Sequence, residues 1–224
     1  MEIEKNESVP KKETLFGFDF QVPRWILFLE RKWGRFSIPY AGMLLVLFQI
    51  IGFIIAKVHP EWLRRFTLDP DAVLHGEFYR LFSFLFIPVM DNFLMLFVTW
   101  FFYYTLFLLR REWGDFKLSL YFVISWAGTI AGAFLFHEVI SSFILIEMTF
   151  FFAVGTLKPR YRFDFFFILP IRMKWIALIS MLLLLVQLLF FSAWSMTLCL
   201  FLSCMNYFLF FIPGFYRSIR LRTH

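Results

Sequence analysis

Charge and reactive side chains are scarce in this chain. Only 17% of the 224 residues are Asp, Glu, Lys or Arg, and there are two cysteines, four histidines and ten glycines. Cys199 and Cys204 stand five residues apart in one apolar stretch. That spacing turns them to different faces of a helix and excludes an ordinary disulfide between them. No histidine or carboxylate accompanies them at ligand spacing, so no zinc or iron site is predicted. Phosphate-binding glycine loops, dinucleotide fingerprints, nucleic-acid modules and internal repeats are absent, and no cofactor or metal is expected. The first fourteen residues are polar and charged, with no apolar core before Leu15, which argues against a cleavable signal peptide.

Hydrocarbon takes the place of charge. Hydrophobic residues make up 61% of the chain, Phe alone fills 36 positions, and mean hydropathy is +0.73. About 20 apolar residues cross a bilayer core, and on that measure six runs qualify: 37–56, 91–109, 116–136, 139–157, 173–193 and 196–215. The expected fold is an all-α integral membrane protein of six transmembrane helices (37–215), with a cytoplasmic tail before it (1–36) and a basic tail after it (216–224). Of the 22 Lys and Arg residues, 18 fall on the side of the tails and the even-to-odd loops, and only Lys57, Arg64, Arg65 and Arg80 fall on the other. Basic residues stay cytoplasmic when loops are short, so both termini are expected inside the cell. The net charge of +6 then reads as topology and attraction to anionic membrane lipids, not as nucleic-acid binding. Val22, Trp25, Ile26, Leu29, Trp33 and Phe36 recur at spacings of three and four, which predicts an interfacial helix before the first span.

Three motifs carry a family resemblance. Leu68-Asp69-Pro70 precedes Gly76-Glu77-Phe78-Tyr79-Arg80, Glu112-Trp113-Gly114-Asp115-Phe116 ends the second span, and Ala153 through Pro159 leads into Phe165 to Ile171 and Lys174-Trp175. In this order the three resemble the first loop, the turn between helices two and three, and the joint between helices four and five of rhomboid-type membrane proteins. The resemblance implies a six-helix rhomboid-like bundle with an outer-leaflet first-loop hairpin. Asp69-Pro70-Asp71 and Gly76 favour turns, Phe78, Tyr79, Phe82 and Phe84 are expected to dip into lipid, and Arg80 to bond loop carbonyls with Glu77 nearby.

Rhomboid proteases need a serine in Gly-x-Ser-Gly in helix four and a histidine in helix six. Here the first region reads Ser141-Ser142-Phe143-Ile144-Leu145-Ile146-Glu147, and the second offers Asn206, which is no general base at neutral pH. The chain therefore resembles a catalytically inactive rhomboid, derlin-like in the broad sense, and no catalytic residue is assigned. His137, four residues before Ser141, is the only histidine near a serine. Glu147 lies mid-span and is expected to be neutral or bonded to Asn206, Thr149 or Gln187, as a polar clasp between helices four and six. Gly128 and Gly132 predict close packing within the fold. The resemblance also implies a lateral gate for transmembrane segments between helices two and five, at Phe97 and Phe101 facing Leu182 and Leu185. The expected function is binding of membrane-protein segments, for quality control or regulation, without cleavage, in the cytoplasmic membrane of a bacterium. An intramembrane serine protease with a displaced site, and a structural subunit or lipid-handling protein, are the alternatives.

Overall fold

A computed structural model of the protein describes residues 22–38, 40–165, 169–190 and 194–222. Helix α1 (Arg24–Trp33) runs into a 3-10 turn, Gly34–Phe36, and then α2 (Ala41–Val58) begins. The buried positions of α2 are Ala41, Gly42, Leu45, Gln49 and Gly52, at helical spacing, whereas Met43, Leu44, Leu47, Ile50, Ile51 and Ile54 face outward. The outward face is thus larger and more apolar than the inward one. A helix in water has the opposite arrangement, and small or polar residues inside a bulky apolar exterior suit a hydrocarbon surround.

Three short helices follow, α3 (Pro60–Phe66), α4 (Pro70–Leu74) and α5 (Arg80–Ser83), and a 3-10 turn at Phe84–Phe86. The first loop is therefore a chain of helical turns in place of the expected hairpin. The first two start at prolines, Pro60 and Pro70, which fix φ and remove an N–H that would have no partner there, whereas α5 starts at Arg80, whose N–H donates to the Glu77 carbonyl at 3.1 Å.

Next comes α6 (Leu94–Phe136), 43 residues in two arms, 94–113 and 115–136, that meet at Gly114. Gly114 has φ 78° and ψ 175°, backbone nearly reserved for glycine, so the reversal between the expected second and third spans occurs at one residue. Among the described residues, α2 and α6 are the two helices long and apolar enough to cross a membrane. The second arm of α6 lies against α9 (Trp194–Ser203). A Cβ on Gly128 would meet the Leu202 carbonyl oxygen at 2.4 Å, and one on Gly132 would meet Cys199 Sγ at 2.8 Å. Ser125 Oγ donates to the Ser203 carbonyl at 3.1 Å and Thr129 Oγ1 lies 3.0 Å from Ser203 Oγ, so the close seam is hydrogen-bonded as well as small. The expected close packing at both glycines is what the structure has.

The remaining helices are α7 (Ile144–Leu157), between α6 and α8, then α8 (Met173–Phe190) and α10 (Met205–Arg222). Helix α7 starts five residues later than the expected fourth span, because Ile140 is pulled into an extended pairing with Leu68, whose N–H and carbonyl each bond it at 2.9 Å. Between α7 and α8 the antiparallel strands β1 (Arg162–Phe165) and β2 (Leu169–Arg172) place Arg162 opposite Arg172. The expected sixth span is broken between α9 and α10 at Cys204. There the Asn206 side chain accepts from Tyr207 N–H at 2.7 Å, a side-chain bond that competes with the helix ladder. Cys199 and Cys204 are both buried free thiols. Tyr121, wholly buried, meets Phe150 and Phe210 edge to face at ring distances of 5.1 and 5.0 Å and joins the arms of α6 to α7 and α10.

Candidate functional site

The first-loop motif is a self-contained clamp. Asp69 caps α4 by accepting from the N–H groups of Asp71 and Ala72, and Gly76, at φ 106°, reverses the chain where an L side chain would be strained. Arg80 opens α5. Its Nη1 donates to the Thr67 carbonyl at 3.0 Å, to the Arg64 carbonyl at 3.3 Å and to Thr67 Oγ1, while its Nε donates to Glu77 Oε2 at 2.5 Å. A guanidinium offers several donors in fixed directions, so one side chain satisfies the open carbonyl end of α3 and a carboxylate together. Those bonds, from Arg80 first and Tyr79 second, hold the Glu77 carboxyl below its usual range. Phe78, Tyr79 and Phe82 are exposed, as expected of rings that enter lipid; Phe84 is not, being fully buried beneath α2. Trp126 Nε1 on the second arm of α6 donates to the Leu81 carbonyl at 2.9 Å and ties the clamp to the bundle.

The predicted intramembrane polar cluster is only partly assembled. Asn206 is fully buried; its Nδ2 donates to Thr149 Oγ1 at 3.0 Å and to the Tyr121 carbonyl at 3.3 Å, and the Tyr121 hydroxyl donates to the Thr149 carbonyl at 2.7 Å. Helices α6, α7 and α10 are thereby fastened at one level. Glu147, also buried, does not join them: among the described residues its carboxyl has no hydrogen-bond partner. Thr149 is two helical steps on from Glu147, about 200° of rotation, so one faces Asn206 and the other cannot. The side chain of Gln187 lies outside the described residues.

Ser141 and His137 are not joined by a hydrogen bond. His137 is exposed, with Nδ1 3.9 Å from Asp71 Oδ1, while Ser141 borders a cavity of about 370 Å3 with Arg64, Thr67 and Asp91. Ser142 Oγ accepts from Ile144 N–H and caps the start of α7. At the expected gate, Phe101 is turned inward and meets Phe151 at a ring distance of 5.2 Å with the rings tilted by 37°, a correction to its placement on an open face; Phe97 is half-buried beside Trp100. Leu182 is 60% exposed on α8, and the side chain of Leu185 lies outside the described residues. Helix α8 is seated on α7 and β2.

Compared with protein-family models, curated proteins and solved structures, the chain matches none.

Sequence reasoning missed the ionic girdle around Gly114. Lys117 Nζ bonds Glu30 of α1 at 2.9 Å, Lys158 Nζ bonds Glu112 at 2.8 Å, and Arg110 holds Asp115 at 2.6 Å. The alternation of acid and base across residues 110–117 was the available signal. Tyr121 was missed too, because a tyrosine in an apolar run reads equally as an interfacial anchor. Among the described residues no cluster of His, Cys, Asp or Glu could hold a metal ion.

Proposed function

We propose that this chain is a rhomboid-like, six-span membrane protein that binds transmembrane segments of other proteins and does not cleave them. The observation that carries this reading is Asn206. The resemblance assigns the catalytic base to its helix, yet its amide is not basic and is fully engaged with Thr149 and the Tyr121 carbonyl. Both of its N–H donors are spent on those contacts, its Oδ1 accepts from Tyr207 N–H at 2.7 Å, and an amide whose nitrogen lone pair is delocalised into its carbonyl takes no proton from a serine at neutral pH. The clamp at Arg80 supports the same fold assignment, because it gives the first-loop motif a physical purpose. Client binding is supported by α8, which presents Leu178, Ile179, Met181 and Leu182 outward and, among the described residues, packs chiefly against α7. A transmembrane helix placed there gains van der Waals contact without displacing a packed partner.

Photo-reactive residues at Leu182 and at the buried Phe150 test the reading in native membranes, together with a serine-reactive phosphonate on the purified protein. Crosslinks to transmembrane segments from position 182, none from 150, and no phosphonate uptake are expected. Labelling that Ser141→Ala or Ser142→Ala abolishes would establish the protease instead. Crosslinks confined to residues 162–172, in fixed stoichiometry with one protein, would make the chain a subunit of a larger assembly.

A further inference from the structure

At the end of α2 away from the first-loop clamp, α2 and the first arm of α6 come together at Gly42, where an added Cβ would meet Leu106 Cβ at 3.0 Å. Beside that contact they leave a cleft of about 210 Å3, walled by Tyr40, Met43, Tyr103, Phe107 and Leu118 and closed by Arg110. Met43, Tyr103 and Phe107 are 64%, 45% and 43% exposed, so the walls present apolar surface outward along the helices. The charged end is different in kind. Arg110 stands 4.6 Å from the Tyr40 ring centre and grips both oxygens of Asp115, which neutralises it. Arg111 is exposed, its guanidinium 5.7 Å from the Phe107 ring centre, and among the described residues no carboxylate pairs with it. Beside the Phe107 wall of the cleft there is therefore one surplus positive charge, that of Arg111.

We propose that this cleft binds an anionic phospholipid, with the phosphate at Arg111 and an acyl chain laid against Met43, Tyr103 and Phe107. An amphiphile suits both ends. A free phosphate leaves the apolar walls in contact with nothing it can use, and a zwitterionic lipid brings a positive charge of its own to a site that already has one in excess. The geometry adds a further match, since α2 and α6 are membrane-length helices and Arg111 sits at the end of an apolar arm, at the depth of lipid headgroups. This inference rests on the membrane-spanning reading of those two helices and is independent of client binding at α8.

The test is native mass spectrometry of the full chain in mild detergent, titrated with phosphatidylglycerol and phosphatidylcholine of identical acyl chains. Phosphatidylglycerol should be retained preferentially, and Arg111→Gln should weaken it about fivefold while leaving phosphatidylcholine unchanged. Arg65→Gln, on α3 at the far end of α2, should change neither. Phosphatidylglycerol carrying a diazirine in its acyl chain should crosslink the wild-type chain at Met43, Tyr103 or Phe107, a readout that needs no variant to fold, and inorganic phosphate should not displace it. Equal retention of the two lipids, crosslinks elsewhere on the chain, or displacement by inorganic phosphate would each overturn the proposal. Absence of client crosslinks at Leu182 would sink the client-binding reading and leave this one standing.

Discussion

Substitution of Gly52 by alanine should be among the most damaging single-methyl changes in the protein. A Cβ there would lie 1.5 Å from the Phe86 carbonyl oxygen and 2.6 Å from its carbon. The obstacle is backbone, so no rotamer relieves it. Restoring an ordinary contact of about 3.5 Å means separating α2 from the Phe84–Phe86 turn by roughly 2 Å. Gln49, one helical turn earlier, donates from Nε2 to the Leu85 carbonyl at 2.8 Å across the same junction. After such a separation that distance passes beyond the hydrogen-bond limit of about 3.2 Å. Overpacking contributes about 1 to 3 kcal/mol and the lost interhelical bond about 0.6 to 1.7 kcal/mol, so the expected destabilisation is on the order of 2 to 4 kcal/mol. Gly34→Ala is the control, because a Cβ there meets nothing within 4 Å and the backbone, at φ −57°, accepts any residue. Unfolding of both variants in mild detergent, by steric trapping or thermal melting, gives the comparison. Gly52→Ala as stable as Gly34→Ala would refute the close approach of α2 to the turn.

Arg80→Lys should loosen the first loop by about 1 to 3 kcal/mol, since an ammonium cannot reach Thr67, Arg64 and Glu77 together; faster amide exchange over residues 64–80 would show it, and unchanged exchange would contradict the clamp. Glu77 adds an acid dependence: its folded-state pKa lies below the ordinary 4.5, so its contribution is complete above that value and falls away as pH drops through the lower folded value. Glu77→Gln should remove that acid-induced rise in exchange, and a variant that keeps it would assign the effect to another carboxylate. Asn206→Leu should cost about 1 to 2 kcal/mol by stranding Thr149 and the Tyr121 carbonyl, whereas Glu147→Leu should stabilise, because the buried carboxyl has no partner to lose; a destabilised Glu147→Leu would mean that its carboxyl is bonded after all. Single cysteines replacing Leu74 and Arg162 should differ toward an impermeant thiol reagent in intact cells, with only position 74 reacting, because the native thiols are buried; reversed labelling would invert the proposed topology.

The apolar runs, the basic asymmetry and the breakers along this chain determined its helical class, the reversal at Trp113-Gly114, the capped turn at Asp69-Pro70 and the close seam at Gly128 and Gly132. Each of these depends on a local property, namely hydropathy over a window, a backbone conformation nearly reserved for glycine, or the absence of a side chain, and local properties are written in sequence. Which polar residues meet was a different kind of question. Glu147 and Thr149 are near neighbours in the chain and both are buried, but the rotation of α7 gives Asn206 to Thr149 and leaves the carboxylate facing away. Phe101 and Phe84 went inward for the same reason: a phenyl ring is as compatible with lipid as with protein interior, so its type carries no information about direction. The late start of α7 required Leu68 and Ile140, 72 positions apart, to pair as extended backbone. Tertiary structure alone decided these points, because each depends on how one helix is turned and set against another, and a residue's identity does not encode that rotation.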